Sequence, residues 1–337
     1  MMRPPTYLRT VVTTACPLSC SYCHMEGDAH QAGTARQLDP EVLDACLAVA
    51  AAAGIRKFKF LGGEPLVRRD LPERIQRLRR VAKSADLSII TSGVAPVSIV
   101  ESLFAAGLDR MNVSIHGYSM PAFAARSRLP ERHHAQRAEV LAFLLRLGRP
   151  VKLNYVYSGP HDDADLGALL SWAAPLPLVV NVLDDLGNSM LGPSVLLQTL
   201  RQLRGDWTEQ YAEHDADSLP TTRLRWPDGL VVEVKTEHLG QLAPWRDCGT
   251  CSLRSRCREG IYAVRLTHRG YLQLCMDRPE LGISLVDALE AGPAAAEHAW
   301  REFVAARLRS ADAPPVDNQP QPRLRKFLPL LAQGGCP

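Results

Sequence analysis

From residue 6 to about residue 205, short runs rich in β-branched residues alternate with longer stretches whose apolar positions recur every three or four residues. The runs Leu8–Thr13, Lys57–Leu61, Leu87–Thr91, Met111–Ile115, Val151–Val156 and Leu178–Leu183 read as strands. The stretches near Pro40–Ala53, Leu71–Lys83, Val97–Ala106, Arg132–Leu147 and Leu166–Ala173 read as amphipathic helices. Strand–helix alternation implies parallel strands joined by right-handed crossovers. Six such units predict an α/β chain folded as an incomplete (β/α)6 TIM-like barrel rather than a closed eight-unit one.

After Gly205 the pattern changes. Thr222–Thr236 reads as a hairpin turning at Pro227-Asp228-Gly229, and Ile261–Cys275 as a second one turning at His268-Arg269-Gly270. Helical stretches follow near Ser284–Glu290 and Ala294–Arg309, and Ala311–Pro322 is proline-rich and expected to be irregular. Three regions are therefore expected: a barrel over 1–205, an α+β extension over 206–310 and a Pro/Gly-rich tail over 311–337. There is no internal repeat.

Composition narrows the class. A chain of 337 residues buries about three-quarters of its unfolded surface. Its 46% hydrophobic and 22% charged residues suit a soluble globular protein. A formal charge of +3 is too small to point to nucleic acid. The basic clusters Arg68–Arg69 and Arg74–Lys83 alternate with apolar residues at helical spacing, as a solvated helix face does. No stretch reaches the ~18 uncharged apolar residues of a membrane span. Met-Met-Arg-Pro-Pro leads straight into a strand, without a signal peptide's apolar region. A cytoplasmic location is expected, with neither membrane nor nucleic acid as partner.

Nine cysteines are many for a reducing compartment. Seven fall in two tight groups, Cys336 lies near the C-terminus, and only Cys46, on an apolar helix face, reads simply as core. Grouping of this kind points to metal. Cys16-Pro-Leu-Ser-Cys20-Ser-Tyr-Cys23 has the spacing CxxxCxxC on a loop after a strand. Three thiolates so spaced can ligate three irons of a [4Fe–4S] cube and leave the fourth open to a chelating ligand. Two other readings are a zinc site, which wants four ligands in paired spacing, and a buried structural trio.

The segment from Tyr7 to Cys23 resembles the opening of radical S-adenosylmethionine (SAM) enzymes, and most of all the GTP 3′,8-cyclase family of molybdenum-cofactor biosynthesis. The resemblance implies that Cys16, Cys20 and Cys23 hold the SAM-binding cluster and that Tyr22 lies beside the adenine. Lys59-Phe-Leu-Gly62-Gly63-Glu64-Pro65 looks like the family's GGEP motif, whose backbone and glutamate meet the SAM amino group. Ile89-Ile90-Thr91-Ser92-Gly93 and Asn112-Val-Ser114-Ile-His116-Gly117 match strand ends at which Thr91, Ser92 and Ser114 would contact SAM. Strand C-terminal ends are where barrels assemble their sites.

Cys248-x2-Cys251-x5-Cys257-x17-Cys275 supplies four further ligands. Tetrahedral zinc suits such a set, and so does a second [4Fe–4S] cluster. The arrangement resembles the auxiliary-cluster extension called a twitch domain. The cyclases use three cysteines there, with Ile261 standing where one of theirs would be; four would close every iron to substrate. Arg9, Lys152 and Arg265 match basic residues that hold the cyclase substrate. Ala263 replaces a second hairpin arginine, another family arginine falls near Asn181, and Cys336-Pro337 follow the Gly334-Gly335 that resembles the family's C-terminal tail. The triphosphate grip is therefore expected to be incomplete.

Strand alternation places Lys152 and Asn154 on one face, toward a cavity. His116 shares a face with Ser114 and offers an acid or base near its ordinary pKa of about 6.5, or a structural hydrogen bond. Asp184 and Asp185 end the sixth strand, to meet substrate or cap a loop. His133 and His134 read as surface. The resemblance implies an enzyme that cleaves SAM reductively to a 5′-deoxyadenosyl radical, with electrons from a flavodoxin or ferredoxin. The radical would take hydrogen from an anionic small molecule: a nucleotide, nucleoside or sugar nucleotide. An Ala-, Arg- and Pro-rich, Lys-poor composition resembles a high-GC bacterium and fits a specialised, antibiotic-type pathway. Alternatives are the GTP cyclase reaction, peptide modification, or a zinc-binding interaction protein.

Overall fold

The computed structural model describes residues 3–23, 37–186, 191–213, 217–218, 220–235, 242–257 and 259–308. The proline-rich tail, Gly334, Gly335 and Cys336 lie outside them.

Strands β1 (Tyr7–Thr13), β2 (Lys57–Gly62), β3 (Asp86–Thr91), β4 (Arg110–Ser114), β5 (Val151–Tyr157) and β6 (Val179–Asp184) lie side by side in chain order, all parallel. Between them run α1 (Pro40–Ala52), α2 (Leu71–Val81), α3 (Val97–Ala105), α4 (Met120–Ser127), α5 (Glu131–Leu147) and α6 (Asp163–Ala173), with α7 (Pro193–Arg204) after β6. This is the partial (β/α)6 barrel the alternation predicts, with α4 and α7 in addition.

The pleat sorts side chains to two faces. Leu8, Phe58, Phe60, Ile89, Met111 and Leu153 join the apolar core beneath the helices. Arg9, Lys59, Asn112, Lys152, Asn154 and Asn181, at intervening positions, face a cavity instead. The helices begin on local signals: Asp39 caps α1 by accepting from the Glu41 amide at 2.9 Å, with Pro40 in the first turn.

The C-terminal strands extend this sheet at both ends. Strands β7 (Glu209–Glu213), β8 (Thr221–Arg225) and β9 (Val231–Lys235) form an antiparallel meander whose β9 pairs parallel with β6. Strands β10 (Val264–Leu266) and β11 (Tyr271–Gln273) form the second hairpin; β10 pairs parallel with β1, and β12 (Ile283–Ser284) borders β11. Among the described residues the result is one twelve-stranded sheet. Both predicted turns hold glycines in the left-handed region, Gly229 at φ 92° and Gly270 at φ 76°. Helices α8 (Leu285–Glu290) and α9 (Pro293–Arg307) pack against α1.

One expectation is corrected in part. Arg77, Arg80 and Lys83 do form an exposed face, but Arg68 and Arg74 are buried. Arg68 donates to the Val12 carbonyl at 2.9 Å and forks onto Asp70, and Arg74 reaches Asp44 at 2.7 Å. These pairs stitch α2 to β1 and α1. Among the described residues no helix is long and apolar enough to cross a membrane.

Candidate active site

The polar face of the sheet encloses a cavity of about 730 Å³. Cys16, Cys20 and Cys23 sit on the loop after β1 and line one end of it, together with Tyr22, Gly62, Gly63, Glu64, Thr91, Ser92, Ser114 and His116. The predicted cluster ligands and nearly all the predicted SAM contacts thus share one wall. Pro65 is buried just behind it and starts a short 3-10 turn.

The wall is built to close tolerances. Gly63 lies so near the cysteine loop that a Cβ there would come within 2.3 Å of the Ala15 carbonyl oxygen, and one at Gly62 within 2.2 Å of that of Thr13. The Gly63 and Glu64 amides donate back to the Thr13 and Ala15 carbonyls, each at 2.8 Å. Glu64, fully buried, accepts from Thr91 Oγ1 at 2.6 Å, from the Ser92 amide at 2.7 Å and from the Leu66 amide at 3.1 Å. Burial raises its pKa against these bonds. The motif glutamate therefore locks the end of β2 to the end of β3.

The donor set fits an iron–sulfur cluster. Although Cys16 is solvent-exposed, the protein packed around it lifts its thiol to about 11, with Glu64 and Cys23 adding to the rise. Cys20 goes to about 12 through desolvation and the neighbouring Cys16 and Cys23. Three thiolates so placed repel one another until cationic iron sits among them.

Tyr22 stacks on His116, ring centroids 6.0 Å apart and planes 22° from parallel. Arg126, unnoticed in the sequence, lies 5.0 Å over the Tyr22 ring and is held by Asp162 at 3.1 Å and the Val156 carbonyl at 2.5 Å. His116 corrects an expectation: burial and the Arg137 charge push its pKa down to about 3, so it is no acid or base near neutrality. Its Nδ1 meets no partner among the described residues.

Deeper in the cavity, Arg265, Arg9 and Lys59 stand in register on three adjacent strands. Lys59, which in the sequence stands out only as part of a motif, is buried. Desolvation holds its pKa well below the lysine range, with Arg110, Arg9, Lys57 and Lys152 pushing the same way. The Lys-Phe-Lys-Phe alternation of β2 was the available signal, since it turns both lysines inward. Opposite, Lys152 pairs with Glu233, which also accepts from Arg223 at 2.6 Å. Asn181 donates to Asn154 at 3.1 Å. Asp184 accepts from the Leu191 and Gly192 amides at 2.9 and 2.8 Å, and Asp185 from Ser158 at 2.9 Å, so both carboxylates brace loops.

Cys248, Cys251, Cys257 and Cys275 line a second, smaller hollow over Trp245. The Trp245 indole anchors the segment through the Leu274 carbonyl at 2.8 Å. Burial raises the thiols of Cys248, Cys257 and Cys275, the last to about 12. Arg278 approaches Cys251 Sγ at 3.5 Å. Glu259 borders both hollows and pairs with Arg265 at 2.8 Å. Ile261 lines the large cavity, whereas Ala263 is buried just before β10. Among the described residues no three Cys, His, Asp or Glu side chains are arranged to hold a single metal ion.

A partial barrel with a three-cysteine loop beside a Gly-Gly-Glu-Pro turn is the arrangement of radical SAM enzymes, and residues 10–173 match the radical SAM superfamily. The chain belongs to that superfamily, whose members generate a 5′-deoxyadenosyl radical. Within it the chain is similar to proteins named probable GTP 3′,8-cyclases. The one from Pyrococcus abyssi is 28% identical over 302 residues, 88% of this chain and 92% of the relative. The one from Aeropyrum pernix is 30% identical over 316 residues, 89% of this chain and 81% of the relative. Among solved structures, Streptococcus suis SuiB bound to S-adenosylmethionine superposes with a TM-score of 0.55 at 13% identity, covering 81% of this chain. This chain spans 61% of SuiB's length. The enzyme anSMEcpe with bound AdoMet gives a TM-score of 0.55 at 14% identity, over 81% of this chain and 74% of its own. These two likenesses concern the fold.

Proposed function

We propose that this enzyme binds SAM against the Gly62–Ser92 wall, on a [4Fe–4S] cluster held by Cys16, Cys20 and Cys23, and abstracts hydrogen from an anionic nucleotide, nucleoside or sugar nucleotide. When bound, the cluster and SAM supply the radical that takes the hydrogen. The chain's own residues orient and enclose the reactants. Tyr22, Ser92 and Ser114 border the SAM end; Arg9, Lys59 and Arg265 attract the substrate's anion; Asn112, Asn154 and Asn181 offer amides to its polar body. One observation carries the reading: the cysteine trio and the Arg265–Arg9–Lys59 row face a single cavity. Cys248, Cys251, Cys257 and Cys275 are assigned a second [4Fe–4S] cluster, and a flavodoxin or ferredoxin the role of electron donor. A specialised biosynthetic pathway suits the incomplete cyclase residue set.

Anaerobic purification followed by SAM and a reductant tests this directly. Two cubes give about eight irons per chain, and 5′-deoxyadenosine accumulates. A Cys20→Ala variant is expected to make none. Protein without an iron-based cube, or 5′-deoxyadenosine formation that survives Cys20→Ala, refutes the assignment. The GTP cyclase reaction is the second reading, favoured by relatives of that name along most of the chain. Against it stand Ile261 in place of a cluster cysteine and the buried Ala263 in place of an arginine.

A further inference from the structure

Two buried carboxylates reach the substrate cavity from elements that follow the barrel, and no motif announces either. Glu233 lies on β9, 3% exposed. Its Oε2 meets Lys152 Nζ and its Oε1 accepts from Arg223 at 2.6 Å. Both oxygens are engaged, so two cations on that wall are already answered. Strand register carries the row on through Asn181 to Asn154. With Lys152 and Arg223 held by Glu233, this face offers amides and an ion-paired carboxylate, which suit hydroxyl and amine groups rather than phosphate.

The facing wall is different. Arg265 is 3% exposed, and Glu259 takes only its Nη2, at 2.8 Å. Nε and Nη1 of Arg265 and Oε2 of Glu259 are buried and meet no hydrogen-bond partner among the described residues. Buried donors and acceptors left unmet are costly, so a ligand that supplies both complements is favoured. Strands about 4.8 Å apart set neighbouring members of the Arg265–Arg9–Lys59 row at a spacing that one tetrahedral or planar anion can bridge. A chain of three phosphates would extend from that row toward Glu259, whose unmet Oε2 opposes it in a poorly solvated setting, or toward Glu233, which already holds the two cations a further phosphate would need.

We propose that Glu233 and Glu259 set substrate specificity, admitting a molecule with a single phosphate- or carboxylate-sized anion on a hydroxyl- and amine-bearing body and disfavouring a triphosphate. The inference rests on the nucleotide-class reading above and narrows it.

Calorimetric titration of the full-length, anaerobically reconstituted protein with UMP, UTP, GMP and GTP tests it. Each monophosphate is expected to bind at least about tenfold more tightly than the triphosphate of the same base. Glu259→Gln and Glu233→Gln are each expected to shrink that ratio several-fold by improving triphosphate binding. Equal or tighter binding of the triphosphates to wild-type protein overturns the inference and leaves the nucleotide reading standing. Failure of all four to bind at millimolar concentration overturns both. A wild-type preference that Glu259→Gln leaves undiminished removes that residue from the role, and Glu233→Gln, compared only if its thermal unfolding matches wild type, tests the other independently.

Discussion

His116 illustrates how a single position can be found in a sequence while its charge state is not legible there. Its place two residues beyond Ser114 was readable from the pleat, and it does line the cavity beside Tyr22. Its protonation behaviour depended on burial and on Arg137, which lies 21 residues away in the chain. The folded pKa of about 3 lies below the unfolded value of about 6.5, so between those values the unfolded chain binds a proton that the folded one refuses. Stability from this residue is complete above about pH 6.5 and falls as pH drops toward 3, by at most about 1.4 kcal/mol per unit. Unfolding measured at pH 7 and pH 5.5 should therefore show a smaller pH-dependent loss for His116→Asn than for wild type. Identical pH dependence in the two proteins would contradict the buried, neutral imidazole. The cysteines were legible because their chemistry is written in spacing along eight residues. Glu233 and Glu259 were not, since a carboxylate beside an apolar residue carries no local mark of burial.

At the scale of elements, strands whose residues are buried nearly throughout, such as β1 and β2, declared themselves. Strand β7 did not: all five of its residues are exposed, and only its backbone ladder with β8 makes it a strand. Helix α4 escaped notice because it is eight residues long and buries only Phe123 and Ser127. Its start is fixed by Ser119, whose amide and hydroxyl both reach Asp165, at 2.8 and 2.6 Å, in a helix far along the chain. The β10–β11 hairpin was predicted with its turn. What it docks on was not: Gly270, at φ 76°, lies where a Cβ would come within 2.2 Å of Val286 at the start of α8. Gly270→Ala combines left-handed strain with overpacking and is expected to cost about 2–4 kcal/mol. Thermal unfolding checks this; an unchanged midpoint would mean that the turn and α8 are not packed as described.

Across the whole molecule, the sheet brings its own two ends to the site. The meander at one edge delivers Arg223 and Glu233, and the hairpin at the other delivers Arg265 with Glu259 beside it, so the cavity is completed by segments that follow the barrel. The second cysteine group adjoins that same edge through Glu259. Cys251→Ala is therefore expected to lower iron from about eight to about four per chain while 5′-deoxyadenosine still forms in the absence of substrate. Loss of all iron in that variant would show that the two cysteine groups do not bind metal independently.

The chain alone determined the strand–helix alternation, the two turns, and the grouping of the cysteines, because each is a matter of spacing among residues near one another in the sequence. Tertiary structure decided the charge state and partnership of the cavity. Lys152 meets Glu233 across 81 positions, Lys59 is buried among other cations, and Arg68 and Arg74 turn inward to neighbouring elements. Burial and ion pairing depend on which strands become neighbours, and that is a property of the assembled sheet rather than of any segment within it.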